Sequence, residues 1–355
     1  MQTDDFDFEL PAECIALRPA VPRESARLLV IGRHRGIIAE TTIADLPLYL
    51  RGGDALIVND TRVIACALKG YRQRGEARVA LNVMLHRRAR ENAWWAFAKP
   101  GRRLAVDDKL VFSSADEKYT LMARLCEKGE SGEVLLEFDR AGVALDQAVA
   151  AVGDMPLPPY IASRRAADQR DRSDYQTIYA SRDGSVAAPT AGLHLTEKMM
   201  TRLAAHEIGL ERVTLHVGGG TFLPVKSAAI ADHRMHAEWG EIDGATAARL
   251  AARRAGGGRM IAIGTTAARL LESAARPSGA ITAFRGETDI FMTPGYRFAA
   301  VDGLMTNFHL PRSTLFMLVC AFAGYDVIRH AYAHAIATGY RFFSYGDACL
   351  LLPEG

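Results

Sequence analysis

Five of the ten histidines in this 355-residue chain stand in short stretches that are unusual for a plain core. Imidazole titrates near neutrality and can take or give a proton, so each is a candidate for acid–base work. His194 ends the run Gly184-Ser-Val-Ala-Ala-Pro-Thr-Ala-Gly-Leu-His194, small and almost chargeless, just before a helix predicted to begin near Thr196. Such a backbone can come close to a ligand. His216 lies in Thr214-Leu-His-Val-Gly-Gly-Gly-Thr-Phe222, where a predicted strand runs out into Gly218, Gly219 and Gly220. Three glycines in a row cost backbone entropy, and a turn, a bulge or a ligand held backbone-first offsets it. The triplet lacks both the spaced glycines of a dinucleotide fold and the Gly-Lys-Ser/Thr of a P-loop.

His233-Arg-Met-His-Ala-Glu238 holds three residues of metal-ligand type. On a strand, His236 and Glu238 would share one face and His233 the other, which fits a shared polar pocket better than a three-ligand cage. No metal is expected. His236 with Glu238 could form a base and its orienting carboxylate, or bond substrate hydroxyls. Further on, Arg259-Met-Ile-Ala-Ile-Gly-Thr-Thr266 reads as a strand turning through Gly264 into a helix. The free N–H groups at that helix start could take a carboxylate beside Thr265 and Thr266, and Thr265 could equally be a helix cap. Gly286-Glu-Thr-Asp289 and Asn307-Phe-His-Leu-Pro-Arg-Ser-Thr314 put Asp289, Asn307, His309 and Arg312 in loop-like sequence richer in polar function than solubility demands.

Two kinds of element must position these groups. From about Val63 to Ala150, short alternating or apolar runs (Arg78 to Leu85, Trp94 to Ala98, Lys109 to Phe112, Tyr119 to Leu125, Val134 to Phe138) are broken by Gly, Asp and Lys turns, with no stretch long enough for a helix. A small barrel buries such strands and protects their edges. From Val186 onward strands alternate with helices, which implies an α/β domain with its sites at the carboxyl ends of strands. The apolar run Ala55 to Val58 adds a strand to it, so the expected architecture is a barrel-like α/β domain (1–62 and 151–355) carrying an inserted all-β domain (63–150). Arg87-Arg88-Ala-Arg90 and Lys99-Pro-Gly-Arg-Arg103, near Trp94 and Trp95 in the β unit, resemble a phosphate-contacting surface or a solvated charged face.

Composition narrows the classes. At roughly 150 residues per domain the length suits about two domains. A formal charge of +2 excludes a basic tail but leaves local patches open. Five cysteines, none spaced as C-x2-C, suit neither a disulfide scaffold nor a cysteine-built zinc site. The longest near-apolar run, Leu315 to Tyr325, falls short of the 18 or so residues that span a bilayer. A cytoplasmic protein without a membrane partner is expected.

Taken in order, Asn59-Asp-Thr-Arg62, Ala187-Ala-Pro-Thr-Ala-Gly-Leu-His194, His216-Val-Gly-Gly-Gly-Thr-Phe222, His233-Arg-Met-His-Ala-Glu-Trp239, Gly286-Glu-Thr-Asp-Ile290, Asn307-Phe-His-Leu-Pro-Arg-Ser-Thr314 and Tyr340-Arg-Phe-Phe-Ser-Tyr-Gly-Asp347 resemble the S-adenosylmethionine:tRNA ribosyltransferase-isomerases of queuosine biosynthesis. The likeness runs from Asp4 to Asp347. It departs from the family's usual Gly-Ala-Gly at Gly219 and from Ser-Val at Ala267-Ala268.

The resemblance implies transfer and isomerisation of the ribosyl part of S-adenosylmethionine onto the 7-aminomethyl-7-deazaguanine (preQ1) base at the tRNA wobble position, giving epoxyqueuosine and releasing adenine and methionine. It also implies a barrel-like α/β domain with an inserted β-barrel. The product ring holds five ribose carbons, so a C5′–C1′ bond must form. The sulfonium acidifies the C5′ hydrogen, so a base near C5′ and a proton donor for adenine are required. On this reading His194 or His216 is the base. Gly218, Gly219, Gly220 and Glu238 hold S-adenosylmethionine, with Asp289 and Asn307 on ribose hydroxyls and Thr265 with Thr266 on the methionine carboxylate. Asp60, Arg62, His309 and Arg312 face the tRNA base or its phosphates, and His233 with His236 form a secondary polar pocket. No permanently bound cofactor is implied, S-adenosylmethionine being a co-substrate, and a monomer is expected. Two rivals remain open: a metal-dependent hydrolase built on His233, His236 and Glu238, and a noncatalytic RNA-binding protein.

Overall fold

Ala55-Leu-Ile-Val-Asn59 is buried along its whole length, as a parallel strand covered on both faces must be. Around it the computed structural model describes residues 1–353, apart from 34, 115, 130, 131, 223, 224, 226, 277 and 278, with Thr221 and Phe222 described by backbone alone.

In chain order, β1 (Arg27–Gly32), β2 (Gly36–Thr42) and β3 (Ala55–Asn59) enter a large sheet, and the short β4 (Thr61–Val63) leads out of it. Next come β5 (Ala67–Arg74), β6 (Ala77–Arg90), β7 (Ala93–Lys99), β8 (Lys109–Ser113), β9 (Thr120–Lys128) and β10 (Glu133–Phe138), which close into a six-stranded barrel in the order β10-β7-β6-β5-β8-β9. After α1 (Gly142–Val152), α2 (Pro159–Ala162) and α3 (Asp171–Asp174), the chain returns through β11 (Arg182–Ser185), which pairs in parallel with β4. The remainder alternates: α4 (Glu197–Ala205), β12 (Gly209–Leu215), β13 (Glu238–Ile242), α5 (Gly244–Ala255), β14 (Met260–Ile263), α6 (Thr265–Ala274), β15 (Phe284–Thr288), β16 (Gly303–Asn307), α7 (Thr314–Ala323), α8 (Tyr325–Ala337) and β17 (Ala348–Leu352).

The large sheet has the order β15-β13-β12-β3-β14-β16-β17-β1-β2 and runs between two edges, β15 and β2. Its centre, β12-β3-β14-β16, is parallel throughout, so four carboxyl ends lie side by side. They deliver His216, Asn59 and Asp60, Gly264 and Thr265, and Asn307. The α/β domain with an inserted β-barrel that the sequence leads one to expect is what the chain forms.

One element in the β unit departs from expectation. Gly142–Val152 is an α-helix where strands and turns alone were predicted. Leu145, Ala148, Val149 and Val152 repeat at helical spacing and are buried on the barrel core with Leu81, Phe112 and Leu136. The alanine-rich sequence favours the helix, and burying each Leu or Val contributes about 1.5–3 kcal/mol. The start of α4, by contrast, follows the residue named for it, while α6 is capped by Gly264 and not by the Thr265 side chain. Thr196 accepts from the Met199 N–H at α4 and Ser313 from the Phe316 N–H at α7. Among the described residues no single helix is long and apolar enough to cross a bilayer.

Candidate active site

His216 stands one residue beyond β12. Its backbone N–H donates to the Trp239 carbonyl at 2.9 Å, and its ring lies over the Trp239 indole. Nδ1 is 2.8 Å from Thr61 Oγ1. The other side of the ring rests on Gly184, whose φ of +148° and missing side chain are both needed, since a Cβ there would sit 2.9 Å from Nε2. Burial pushes this imidazole below its ordinary value, with Asp60 opposing the shift and Arg182 adding to it. The ring is therefore neutral near pH 7, with one nitrogen free to carry a lone pair.

His216 opens onto a cavity of about 960 Å³ between the carboxyl end of the sheet and the barrel. That is the upper end of the roughly 300–1,000 Å³ of ligand sites, enough for more than one ligand. The sheet side contributes His216, Trp239, Glu238 and Gly218–Gly220, and the barrel side His86, Trp94, Phe97 and Glu133. Arg87 and Arg88 continue the barrel wall.

The three glycines form the seam between the two walls. Gly218 N–H donates to Glu238 Oε1 at 2.9 Å. Gly219 packs against the barrel, where a Cβ would lie 2.8 Å from Phe97 Cε2 and 3.0 Å from His86 Cβ. Gly220 packs on the His236 ring, with a Cβ only 2.5 Å from Cδ2. Glu238 in turn forms a buried ion pair with Arg269 from α6, so its carboxylate is fixed and compensated at the cavity wall.

Of the residues named from sequence, His216, Gly218, Gly219, Gly220, Glu238 and His236 line this cavity. The rest lie elsewhere: His194, Asp289 and Asn307, which the resemblance sets around the same co-substrate as His216, do not line this cavity. His194 ends a short helical turn (Thr190–His194) that buries it against β16; its Nε2 lies 3.2 Å from Asn307 Nδ2, while Asn307 Oδ1 accepts from Thr190 Oγ1 at 2.9 Å. Burial pushes the His194 imidazole down to about 4. His309 is equally buried, 3.0 Å from Thr306 Oγ1, and pushed down to about 3. Thr266 Oγ1 accepts from Asn59 Nδ2 at 3.2 Å, and Thr265 is buried beneath it at the start of α6. These groups tie together the carboxyl ends of β3, β14 and β16.

Asp60 accepts from Thr214 Oγ1 at 2.6 Å and Ser181 Oγ at 2.8 Å, so both its oxygens serve the strand ends. Arg62 is exposed, donating to the Ala180 carbonyl and standing 3.5 Å from Asp183 at the cavity rim. Arg312, exposed in the turn after β16, pairs with Asp4 at 3.1 Å. Asp289 is exposed beyond β15. The strand predicted across His233–Glu238 begins only at Glu238. His233 meets Phe291 edge-on at 5.2 Å, and burial, with His236 nearby, pushes its imidazole below the ordinary value. Among the described residues no group of three or more His, Cys, Asp or Glu could hold a metal ion.

On the barrel side the sequence singles out Arg87, Arg88 and Trp94, which line the cavity, but not His86, Phe97 or Glu133. His86 sits where the β6–β7 register slips between Leu85 and Arg87, a bulge that turns its ring onto Phe97, stacked at 4.5 Å and 19°. Burial, with Arg87 and His236 nearby, pushes it down to about 4. Its one visible signal was adjacency to the arginines.

Comparison with known proteins decides the family. The pattern of the queuosine biosynthesis protein family matches residues 3–351. The chain belongs to this family. Within it, the S-adenosylmethionine:tRNA ribosyltransferase-isomerase of Phenylobacterium zucineum is 59% identical over 355 residues, covering 99% of both chains. That of Chelativorans sp. is 58% identical over 359 residues, covering all of this chain and 99% of the relative. The crystal structure of the S-adenosylmethionine tRNA ribosyltransferase of Thermotoga maritima is 31% identical, with a TM-score of 0.55 over 98% of this chain and 100% of that one. Family membership and the cavity between sheet and barrel thus meet in one molecule, in which both domains supply walls.

Proposed function

We propose that this chain transfers the ribosyl moiety of S-adenosylmethionine to the preQ1 base at the wobble position of tRNA and isomerises it, giving epoxyqueuosine and releasing adenine and methionine. The observation that carries this reading is a neutral imidazole, His216, in a cavity large enough for both substrates and walled by both domains. With Nδ1–H donating to Thr61 Oγ1, the Nε2 lone pair serves as base toward the acidic C5′ hydrogen. Trp239 backs the ring and offers an aromatic face to the sulfonium. Glu238 and the glycine amides form the polar floor beneath the ribose. His194, walled in with Asn307, acts as a positioning residue for the strand ends.

Residues 1–62 with 151–355 act as the catalytic domain and 63–150 as the insert that admits the base, extruded from the anticodon stack. One chain supplies both walls, so a monomer suffices, and no permanently bound cofactor is invoked. The reading places the protein in the cytoplasm, with tRNA and S-adenosylmethionine. The test is incubation of the purified protein with S-adenosylmethionine and preQ1-bearing tRNA, followed by assay of free adenine and of the nucleoside mass. Absence of both products overturns it.

A further inference from the structure

The barrel wall of the cavity carries a carboxylate that the proposed chemistry at His216 does not use. Glu133 begins β10, a quarter of its side chain is exposed, and it lines the cavity beside Trp94 and Phe97. Among the described residues no Lys or Arg lies within ion-pair distance of it. Its Oε1 lies 3.1 Å from His86 Nε2 but out of line, so that among the described residues this nitrogen has no hydrogen-bond partner. The Trp94 indole N–H, on the same wall, also has none. Neither nitrogen is open to the cavity, so the group this wall offers a ligand is the part-exposed Glu133 carboxylate, which no cation among the described residues compensates. Arg87 and Arg88 follow His86 directly and line the same wall, with Arg88 held by Asp146 at 2.8 Å. Arg87 and Arg88 give the barrel wall a basic edge, the kind of surface that positions a phosphate chain.

We infer that Glu133 is the specificity determinant for the tRNA base, its carboxylate accepting from the N1–H and 2-amino group of a guanine-type ring that lies against Trp94 and Phe97, with His86 as the positioning residue that holds the carboxylate. A carboxylate matches two adjacent donors in geometry and charge. An adenine-type edge, with its N1 acceptor, would set lone pair against lone pair. This inference rests on the transferase reading above and adds to it the group that reads the base.

The experiment compares tRNA bearing 7-aminomethyl-7-deazaguanine with the same tRNA bearing the analogue that lacks the 2-amino group. The parent protein should prefer the first by about tenfold or more in kcat/KM, as expected where a part-exposed carboxylate loses one of two donors. Glu133→Gln should lose most of that preference and raise the KM for tRNA, while S-adenosylmethionine binding, followed by calorimetric titration, stays within twofold. His86→Asn should reduce the preference less. Parent turnover without preference, or preference kept in Glu133→Gln, overturns the inference. So does a rise in the S-adenosylmethionine Kd with tRNA KM unmoved, which would assign Glu133 to the adenosyl group. No turnover of either tRNA by the parent protein would instead refute the transferase reading, and the titrations show whether each variant is folded.

Discussion

His216 stacks on Trp239 with ring centroids 5.3 Å apart and planes 19° from parallel. The contact is made between neighbours on paired strand ends, so the orientation of the imidazole is inherited from the β12–β13 ladder. Replacing His216 with Ala should abolish exchange of C5′-labelled hydrogen of S-adenosylmethionine and lower turnover by roughly 10²–10⁴-fold, the range for loss of a general base. Thr61→Val, which removes the partner of Nδ1, should cost less and leave exchange measurable. Unchanged exchange in His216→Ala would remove it from the base role.

The pH profile follows from the direction of the His216 shift. Its pKa is lowered below 6.5, and the reactive form is the neutral one. Turnover should therefore be level through neutrality and fall only on the acid side, with a midpoint below pH 6.5. A midpoint above that would contradict the burial described here.

His194 gives the contrasting case. His194→Ala leaves a void and strands the Asn307 amide, a change worth about 2–4 kcal/mol of stability. It should show as a lower melting temperature, while whatever protein remains folded still exchanges the C5′ hydrogen. Loss of exchange with unchanged melting would return His194 to the chemistry.

Acid should destabilise the fold before its carboxylates titrate. His194 and His309 have pKa values lowered to about 4 and about 3, against about 6.5 when unfolded. Between pH 6.5 and about 4 the unfolded chain binds protons that the folded one refuses. Stability is thus full above 6.5 and falls with pH by up to about 1.4 kcal/mol per unit for each such group. Melting curves at pH 7.5, 6.0 and 5.0 should descend, and His309→Gln should flatten the slope.

Gly219→Ala tests the seam. Its backbone is ordinary for alanine, but the new methyl would press on Phe97 and His86. A cost of about 1–3 kcal/mol is expected for overpacking. Phe97→Leu in the same chain should recover part of it, measured by chemical denaturation.

Much of this was legible along the chain because it is local. The barrel strands alternate at period two, the strand ends are marked by Asn59, Gly218, Gly264 and Asn307, and Thr196 and Ser313 cap the helices they precede. The helix Gly142–Val152 was hidden because its apolar face is only four residues, and the alternation before it suggested more strand. The site was half legible. His216 announced itself by its glycines, but His194 carries the same flexible sequence and is walled in by a turn packed against β16. His86 and Glu133 are brought to one wall only because β6 and β10 both pair with β7, and by a register slip, neither of which leaves a periodic trace.

The barrel joins the sheet through a narrow neck. Ala67 and Asp154 exchange backbone hydrogen bonds of 3.2 and 2.9 Å, and Gly153 passes so close to the Ala65 carbonyl that a side chain there would collide. Outgoing and returning chain are thus already shut at the base of the insert, and splicing them directly together would stretch no backbone and remove no strand from the large sheet. A molecule shortened in this way would keep its scaffold and its imidazole yet present half a vessel, so that assembly and turnover belong to separable portions of one polypeptide.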